Sequence, residues 1–181
     1  TGAYVYEYYA LAWEQRNYDM NVYSWFYVIA DHDSTMVEIT PVNPTFGGRR
    51  AGEPFVVTLQ KGEVYQLLGA GKSENEGYDL SGSKIRSVSN ASGKCYPVAV
   101  FSGNTRAFID CAESFVPFGN YLIQQNIPAQ HWGTQYITAP TAKADTPWLP
   151  QTNFYLVLVK DPATIVKVNG TPLTGKTNNF Y

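Results

Sequence analysis

The sequence predicts an all-β protein, an antiparallel β-sandwich built from many short strands. It contains 14 Tyr, 9 Phe and 4 Trp, and short runs rich in Tyr, Phe, Val and Thr favour strands. Gly and Pro separate these runs at short intervals, which is typical of turns between strands. No window of about a dozen residues shows a convincing i, i+3, i+4, i+7 spacing of apolar residues, as an amphipathic helix would. At most one short helical turn is expected, near residues 120–126.

The predicted strands follow the apolar runs of the chain. The first two, 4–13 and 22–31, are separated by a polar stretch, and a bend over 31–34 precedes the third. Residues 54–69 are predicted as two strands that separate at Lys61 and Gly62, because Gly favours a turn there. The other predicted strands are 35–42, 83–89, a hairpin within 94–111, 135–140, 154–160 and 164–170.

The two cysteines of the chain lie at the ends of the predicted hairpin. If the bend is centred on Gly103, Cys95 and Cys111 are directly opposite each other on its two strands. Directly opposed residues have Cβ atoms about 4.5–5.5 Å apart, which is near the range of a disulfide. The face that carries both cysteines, Phe101 and Ile109 is apolar, so we expect a buried disulfide. The alternative is two free, buried cysteines in a cytosolic protein.

A disulfide indicates an oxidising compartment, so the chain is expected to be exported. It has no signal peptide and no apolar run of about 18 residues, and we interpret it as a mature or excised segment that does not span a membrane. The formal net charge is −2 and no basic patch is present. Nucleic acid is therefore not expected as a partner.

An internal repeat predicts how the chain is divided. Residues 27–39 align without gaps on the segment from Leu156 onward, and each copy is a strand, an Asp-containing bend and a strand that begins with Thr. The second copy ends before any counterpart of the two strands in 54–69. We therefore expect a β-rich unit over 1–139, a Pro-rich connection over 140–153, and the start of a second repeat unit, packed on the first, over 154–181.

Residues that could carry catalysis are few and separate. The two histidines, His32 and His131, lie far apart in the sequence, and no G-x-S-x-G motif or similar nucleophile signature is present. We interpret His32 as an exposed bend residue and His131 as a polar residue at the start of a strand. No catalytic residue is assigned. A hydrolase stays an alternative if the fold places either histidine beside a carboxylate and a hydroxyl.

Two further motifs are weak candidates for ligand sites. Asp31 and Asp33 supply two carboxylates in one bend, whereas calcium takes about six to eight oxygen ligands, so a turn is the better interpretation. Residues 69–77, GAGKSENEG, lack the spacing of a phosphate-binding loop, and a flexible polar loop is expected. Residues 79–85 are interpreted as the start of a strand with a Gly bend. We expect no metal and no cofactor.

The aromatic side chains are candidates for a binding surface. Tryptophan and tyrosine rings suit sugar stacking or protein interfaces, and core packing is the alternative for each of them. In the first strand, the tyrosines at 4, 6 and 8 share one face and the tyrosine at 9 lies on the other. The candidates are Tyr4, Tyr6, Tyr8, Tyr9, Trp13, Trp25, Trp132 and Trp148.

An ordered series of motifs extends over most of the chain. The motifs are VIADHDSTMVEI, VVTLQKGEVYQLLG, DLSGSKIRS, YPVAVFSGNTR and YLIQQNIPAQHWGTQYITAP. Together they resemble the IgGFc-binding protein N-terminal domain family, and more closely its bacterial members in large Bacteroidota cell-surface proteins. The resemblance covers about residues 25–170, and the order of the motifs is more specific than any one of them.

The resemblance implies an extracellular, β-rich module of a cell-surface or secreted protein. In the family such modules are associated with adhesion or, in the animal mucus protein, with immunoglobulin binding. Residues 115–125 lack a cysteine that animal members carry in this region, so immunoglobulin binding is not carried over.

We therefore expect a noncatalytic module that serves adhesion or acts as a structural element of a larger surface assembly. The resemblance assigns no catalytic residues, which agrees with the absence of a nucleophile motif. The expected partners are other proteins, surface glycans and neighbouring domains of the same larger chain. A glycan-binding domain that uses exposed Trp and Tyr is the first alternative, and a hydrolase is the second.

Overall fold

The described part of the chain consists of short strands and one turn of 3-10 helix over Ala129–His131. The computed structural model describes residues 6–13, 15–16, 22–74, 76–107, 120–139 and 153–175. None of its helices has the length and hydropathy that are needed to span a bilayer. The strands are β1 (Glu7–Tyr9), β2 (Gln15–Arg16), β3 (Ser24–Ala30), β4 (Thr35–Thr40), β5 (Phe55–Leu59), β6 (Val64–Leu68), β7 (Gly71–Ser73), β8 (Glu76–Gly77), β9 (Lys84–Val88), β10 (Val98–Ala107), β11 (Asn120–Gln125), β12 (Lys167–Val168) and β13 (Thr171–Pro172).

Two four-stranded antiparallel sheets form a β-sandwich. Sheet I has the strand order β1-β9-β4-β5, and sheet II has the order β11-β10-β3-β6. Two smaller sheets, β2-β8-β7 and β12-β13, complete the strand pairing of the described residues. The predicted all-β fold class is therefore confirmed.

Alternation along the strands places apolar side chains between the two sheets. Phe26 and Val28 of β3 and Val100 of β10 point inward from sheet II, and Val37 and Ile39 of β4 point inward from sheet I. Burial of one such side chain contributes about 1.5–3 kcal/mol. The core cluster consists of Tyr8, Ala10, Phe26, Val28, Ala30, Val37, Ile39, Leu59, Leu67, Leu80, Ile85, Val98 and Val100.

Consecutive strands often lie in different sheets. β3 belongs to sheet II and β4 to sheet I, and the bend between them contains Ser34 with a left-handed φ of 56°. β5 and β6 are likewise in different sheets, and the turn between them contains Gly62 with a φ of 81°, a conformation that favours glycine. The predicted break at Lys61 and Gly62 is confirmed. Each sheet is consequently built from segments that are far apart in the sequence.

Buried polar side chains tie the residues after β1 to β10. The side chain of Asn104 accepts a hydrogen bond from the main-chain N–H of Trp13 at 2.7 Å and donates one to its carbonyl at 2.8 Å. The hydroxyl of Ser102 accepts a hydrogen bond from the N–H of Leu11 at 2.9 Å. Asn126 donates to the carbonyl of Tyr9 at 2.6 Å. These bonds satisfy main-chain groups that would otherwise be buried without partners.

The predicted hairpin within 94–111 is wrong. β10 is a single strand from Val98 to Ala107, with a shift in register only after Asn104, and Gly103 lies within it, paired with Trp25 of β3 and Ile123 of β11. A Cβ atom at position 103 would collide with the main-chain carbonyl of Leu122. Glycine at this position therefore permits the close approach of β11 and does not form a bend.

The course of β10 also changes the interpretation of the cysteines. From Val98 to Asn104 the even-numbered residues of β10 point to the core, so the odd-numbered face that was expected to be buried lies on the outside of sheet II. Cys95 precedes β10, is half-buried, and lies 3.3 Å from the hydroxyl of Ser89; among the described residues it is a free thiol. Cys111 lies outside the described residues, so the Cys95–Cys111 disulfide stays a prediction without the support of a hairpin register.

Several other local predictions differ from the structure. The helical turn near 120–126 is wrong, because these residues form β11 and pair with β10. Residues 135–139 have no regular secondary structure, and the strand predicted over 154–160 is reduced to a β-bridge at Leu158. The polar loop predicted over 69–77 contains β7 and β8, which pair with each other. In each case, the presence or absence of a neighbouring strand overrides the local pattern.

Residues 153–175 contact the N-terminal part of the chain. The Nζ atom of Lys160 lies 3.2 Å from Oε1 of Glu7, and the ring of Phe154 packs edge-on against Trp13 with 6.1 Å between the ring centroids. The division into a unit over 1–139, a connection over 140–153 and a second repeat from 154 stays a prediction.

Candidate interaction surface

The outer face of sheet I carries charged side chains in pairs. Lys84 of β9 lies 2.8 Å from Glu7 of β1, and Arg86 of β9 lies 2.6 Å from Glu38 of β4. The register places Arg86 opposite both Glu7 and Glu38, so opposite charges are neighbours across the three strands. This face is thus a surface of partly exposed ion pairs.

Burial alone would raise the pKa of the Glu7 carboxyl, but its ion pairs act in the opposite direction and prevail. Hydrogen bonds from Lys84 and Lys160 stabilise the charged form, and the pKa of Glu7 lies below its ordinary value of 4.5. Glu7 therefore connects β1 both to β9 and to the segment that contains Lys160.

Acid is expected to weaken the fold through Glu7. Because the folded-state pKa is lower than the unfolded one, this stabilisation is present above the unfolded pKa and is lost as the pH falls through the folded pKa. We expect the free energy of unfolding of the wild type to decrease below about pH 5. In Glu7→Gln the same drop in pH should lower the free energy of unfolding by a smaller amount. Urea denaturation at several pH values measures it. Glu74→Gln, at an exposed position, is the control, and parallel pH profiles for wild type and Glu7→Gln would contradict the assignment.

The outer face of sheet II is aromatic. The rings of Trp25 and Tyr27 on β3 stack with 5.1 Å between their centroids and 7° between their planes. Phe101 of β10 stacks on Tyr27 at 5.3 Å. These three rings form a contiguous aromatic group across the two central strands of the sheet. Such groups combine a large apolar contact area with few rotatable bonds.

Among the described residues, the outward positions of β3, β6, β11 and of β10 as far as Asn104 carry no charge; Arg106 of β10 lies beyond a shift in register between Asn104 and Ala107. In one row across the sheet, Gln125, Phe101, Tyr27 and Gln66 are cross-strand neighbours. We call this surface the uncharged face. It consists of Trp25, Tyr27, Ile29, Val64, Gln66, Leu68, Ala99, Phe101, Gly103, Thr105, Tyr121, Ile123 and Gln125.

The β11 side of the uncharged face is the most open to solvent. Tyr121 is 74% exposed and Ile123 is 59% exposed. β11 is the terminal strand of sheet II among the described strands, and it contains no Lys, Pro or other residue of the kind that protects sheet edges. An apolar edge strand beside an apolar face is a surface on which another chain can pack.

The two histidines have separate surroundings in the part of the chain that the structure describes. The ring of His32 stacks on Tyr96 with 4.6 Å between their centroids, and its Nδ1 lies 3.6 Å from a carboxylate oxygen of Asp31. The interpretation of His32 as an exposed bend residue is confirmed. His131 ends the short 3-10 helix, so its predicted place at the start of a strand is wrong.

The acidic bend acts as a turn. A carboxylate oxygen of Asp33 accepts a hydrogen bond from the main-chain N–H of Lys61 at 2.9 Å. Asp31 lies beside His32 and is exposed. Within the described ranges, no group of three or more His, Cys, Asp and Glu side chains is placed to hold a metal ion.

The three tryptophan candidates that the structure describes are engaged in packing. Trp25 is only 6% exposed. Trp132 is half-buried, packs against Tyr9 with 5.4 Å between ring centroids, and donates its indole N–H to the carbonyl of Ile127. Trp13 is half-buried beside a phenylalanine ring. Of the tyrosine candidates, those at 8 and 9 are buried, whereas Tyr4 and Trp148 lie outside the described residues.

The uncharged face is not among the surfaces predicted from the sequence. Its signal is present in residues 23–29, YSWFYVI, where apolar and aromatic residues occupy both alternating positions of the strand. A strand that covers a core on one face normally carries polar residues on the other. Apolar residues on both faces therefore indicate that the second face has a partner or a cover.

Comparisons with known proteins show the family of the chain. A family described as IgGFc binding protein matches residues 1–180 of the chain. The chain is also similar to the IgGFc-binding protein of Homo sapiens, with 33% identity over 120 residues, which is 65% of this chain and 2% of that protein. No solved structure matches the chain. The closeness to bacterial members stays a prediction, whereas the family is shown by a match over nearly every residue: the chain belongs to the IgGFc-binding protein family.

Proposed function

We propose that the chain is a noncatalytic protein-binding module of an extracellular, cell-surface or secreted protein. Its contact surface is the uncharged face together with the edge of β11. The single observation that carries this proposal is the contrast between the two outer faces of the sandwich. Sheet I presents paired charges, whereas the outer face of sheet II, as far as the shift in register after Asn104, presents stacked aromatic rings and exposed apolar residues without a charge among the described residues.

The composition of the uncharged face is that of an interface centre. Interface centres are depleted in charged residues and enriched in Tyr, Trp and Phe relative to other surfaces. A large exposed apolar area is costly in a soluble domain unless it contacts a partner. The family description and the name of the human relative both refer to a binding protein. Both support a binding role for this chain.

The proposed partners are other proteins and neighbouring domains of the same larger chain. The chain spans 2% of the length of the human relative, and a module of that relative size has many potential neighbours. Adhesion or a structural role in a larger surface assembly is the finer function that we propose. A chain of the Bacteroidota surface-protein type is the proposed source.

The test uses one substitution on the uncharged face and a matched substitution elsewhere. Ile123→Lys places a charge on β11, and Val56→Lys places the same charge at a 47% exposed position on β5 of sheet I. The biotinylated chain is applied to an array of extracellular proteins, which includes human IgG Fc, and to an array of neutral glycans. We expect a protein ligand whose affinity falls about tenfold or more in Ile123→Lys and stays unchanged in Val56→Lys.

Two results would contradict this proposal. A protein ligand bound equally by wild type and Ile123→Lys would place the contact surface elsewhere. Binding to glycans alone, lost in Ile123→Lys, would favour the glycan-binding alternative. Circular dichroism and the denaturation midpoint of each variant establish that the fold is retained before binding is compared.

A further inference from the structure

The edge of sheet II opposite β11 is partly covered by the loop that follows β4. The N–H of Phe46 donates a hydrogen bond to the carbonyl of Leu68 at 2.9 Å, and the N–H of Ala70 donates one to the carbonyl of Pro44 at 3.0 Å. Thr45 forms a β-bridge with Gly69. The loop therefore pairs with the end of β6. Among the described strands, the main-chain groups in the middle of β6 are left without a neighbouring strand on this side.

The main chain of Gln66 is directed toward this open edge. The N–H of Gly69 donates to the carbonyl of Ser24 on β3 at 2.8 Å. In an antiparallel ladder, successive residues alternate between bonding to one neighbour and pointing away from it. Leu68 and Gln66 therefore point away from β3, and Leu68 uses its outward carbonyl for Phe46. The N–H and C=O of Gln66 point to the space beside the loop.

A cleft of about 280 Å³ occupies this space. One wall is the loop and the other is the edge of β6. The residues that bear on its chemistry are Thr45, Phe46, Arg49, Tyr65, Gln66 and Leu68. Phe46 is 65% exposed, so the cleft has an apolar rim that is open to solvent.

Arg49 is held at the cleft by its main chain and its side chain. Its N–H donates to the hydroxyl of Thr45 at 3.0 Å, and its carbonyl accepts from the N–H of Thr45 at 3.0 Å. The centre of its guanidinium lies 4.3 Å from the centroid of the Phe55 ring, a cation–π contact. This contact covers one face of the planar group and leaves the N–H groups at its edge available for hydrogen bonds.

The positive charge of Arg49 has no acidic partner among the described residues. Its neighbour Arg50 differs, because it lies 3.5 Å from a carboxylate oxygen of Glu53. A fixed guanidinium with unused edge N–H groups is suited to bidentate binding of a carboxylate. The neighbouring main-chain groups of Gln66 are suited to pairing with an extended peptide.

We propose that this cleft binds a carboxylate carried by an extended peptide segment of a partner protein. The carboxylate binds the guanidinium of Arg49, the peptide main chain pairs with Gln66, and an apolar side chain packs on Phe46. The carboxylate comes either from an acidic side chain or from a C-terminus. The site is distinct from the proposed contact surface because Arg49 belongs to the loop, although Gln66 and Leu68 also contribute to the uncharged face.

The test compares three short peptides by NMR titration of the labelled chain. Acetyl-Ala-Glu-Ala-amide presents a side-chain carboxylate, acetyl-Ala-Gln-Ala with a free carboxyl end presents a terminal carboxylate, and acetyl-Ala-Gln-Ala-amide presents none. We expect saturable shifts of the amides of Phe46 and Gln66 with at least one carboxylate peptide and not with the neutral one. The binding should weaken as salt concentration rises.

Arginine variants distinguish binding at Arg49 from nonspecific attraction between the peptide carboxylate and the positive charges of the chain. Arg49→Gln is expected to lower the affinity for the carboxylate peptide by about tenfold to a hundredfold, because a charge-assisted hydrogen bond is lost. Arg49→Lys keeps the charge without the planar fork and should give an intermediate affinity. Arg50→Gln is the matched control and should bind as wild type does. The dispersion of the variant spectra shows that each protein is folded.

Several outcomes would overturn this assignment. They are equal affinity for the neutral peptide, unchanged affinity in Arg49→Gln, or no saturable shift with either carboxylate peptide at about 10 mM. Binding of N-acetylneuraminic acid without binding of the peptides would show that the carboxylate belongs to a glycan. None of these results bears on Ile123→Lys, so this site and the contact surface proposed above are tested independently.

Discussion

Replacing Asn104 with Ala is expected to lower the free energy of unfolding by about 2–4 kcal/mol. The Asn104 side chain is fully buried and forms two hydrogen bonds with the main chain of Trp13. Removing it leaves a main-chain donor and a main-chain acceptor without partners, and each unsatisfied buried group costs about 1–3 kcal/mol. Urea denaturation, monitored by tryptophan fluorescence, measures this change. It is given by the shift of the urea midpoint when the dependence of the free energy of unfolding on urea stays constant.

Asn120→Ala is the control for Asn104→Ala. Asn120 is exposed at the start of β11, so its removal should change the free energy of unfolding by less than about 0.5 kcal/mol. If Asn104→Ala were equally mild, water would be replacing the lost hydrogen bonds. The segment that contains Trp13 would then not be packed against β10 in solution.

Phe26→Ala is expected to lower the free energy of unfolding by about 3–5 kcal/mol. Phe26 is fully buried between the two sheets, where its ring belongs to the same cluster as Val28, Val100 and Ile39. Its removal loses the transfer free energy of the ring and leaves a cavity that the close-packed sheets fill only in part. Chemical denaturation reports this loss, and the near-ultraviolet circular dichroism shows whether the remaining aromatic side chains stay packed.

Phe46→Ala makes the same chemical change at an exposed position. Phe46 contacts Tyr23 edge-on at 5.4 Å but lies at the surface, so the expected cost is about 1 kcal/mol or less. A cost close to that of Phe26→Ala would mean that the loop after β4 belongs to the core. A cost of Phe26→Ala below about 1 kcal/mol would contradict the inward orientation of β3.

The fold class could be predicted from the sequence because it depends on local patterns. The alternation in 35–40 and the Gly turn at Gly62 are visible within a few residues, and both are present in the structure. Gly103 was misinterpreted for the same reason, because Ser-Gly-Asn is a typical turn sequence. Its actual role depends on the carbonyl of Leu122 on a strand that follows later in the chain.

The candidate surface depends even more on distant residues. Trp25 and Ile123 are neighbours of Gly103 in one row of the sheet, and nothing local indicates that they share a face. β11 has the Leu, Ile and Gln content of a helix, and its pairing with β10 determines its conformation instead. The cleft at Arg49 likewise requires the loop after β4 to meet β6. Periodicity predicts elements, whereas register determines which side chains meet.

The passage of successive strands between the two sheets has a consequence for how the chain folds as it is made. Tyr27 of β3 pairs with Phe101 of β10, and Val37 of β4 pairs with Ser87 of β9, so neither pairing can form until the later strand has left the ribosome. Such non-local pairing slows folding, because distant segments must meet before their contacts form. During synthesis, β3 and β4 therefore lack these partners for a long interval, in which chaperones or other nascent chains can bind their apolar side chains.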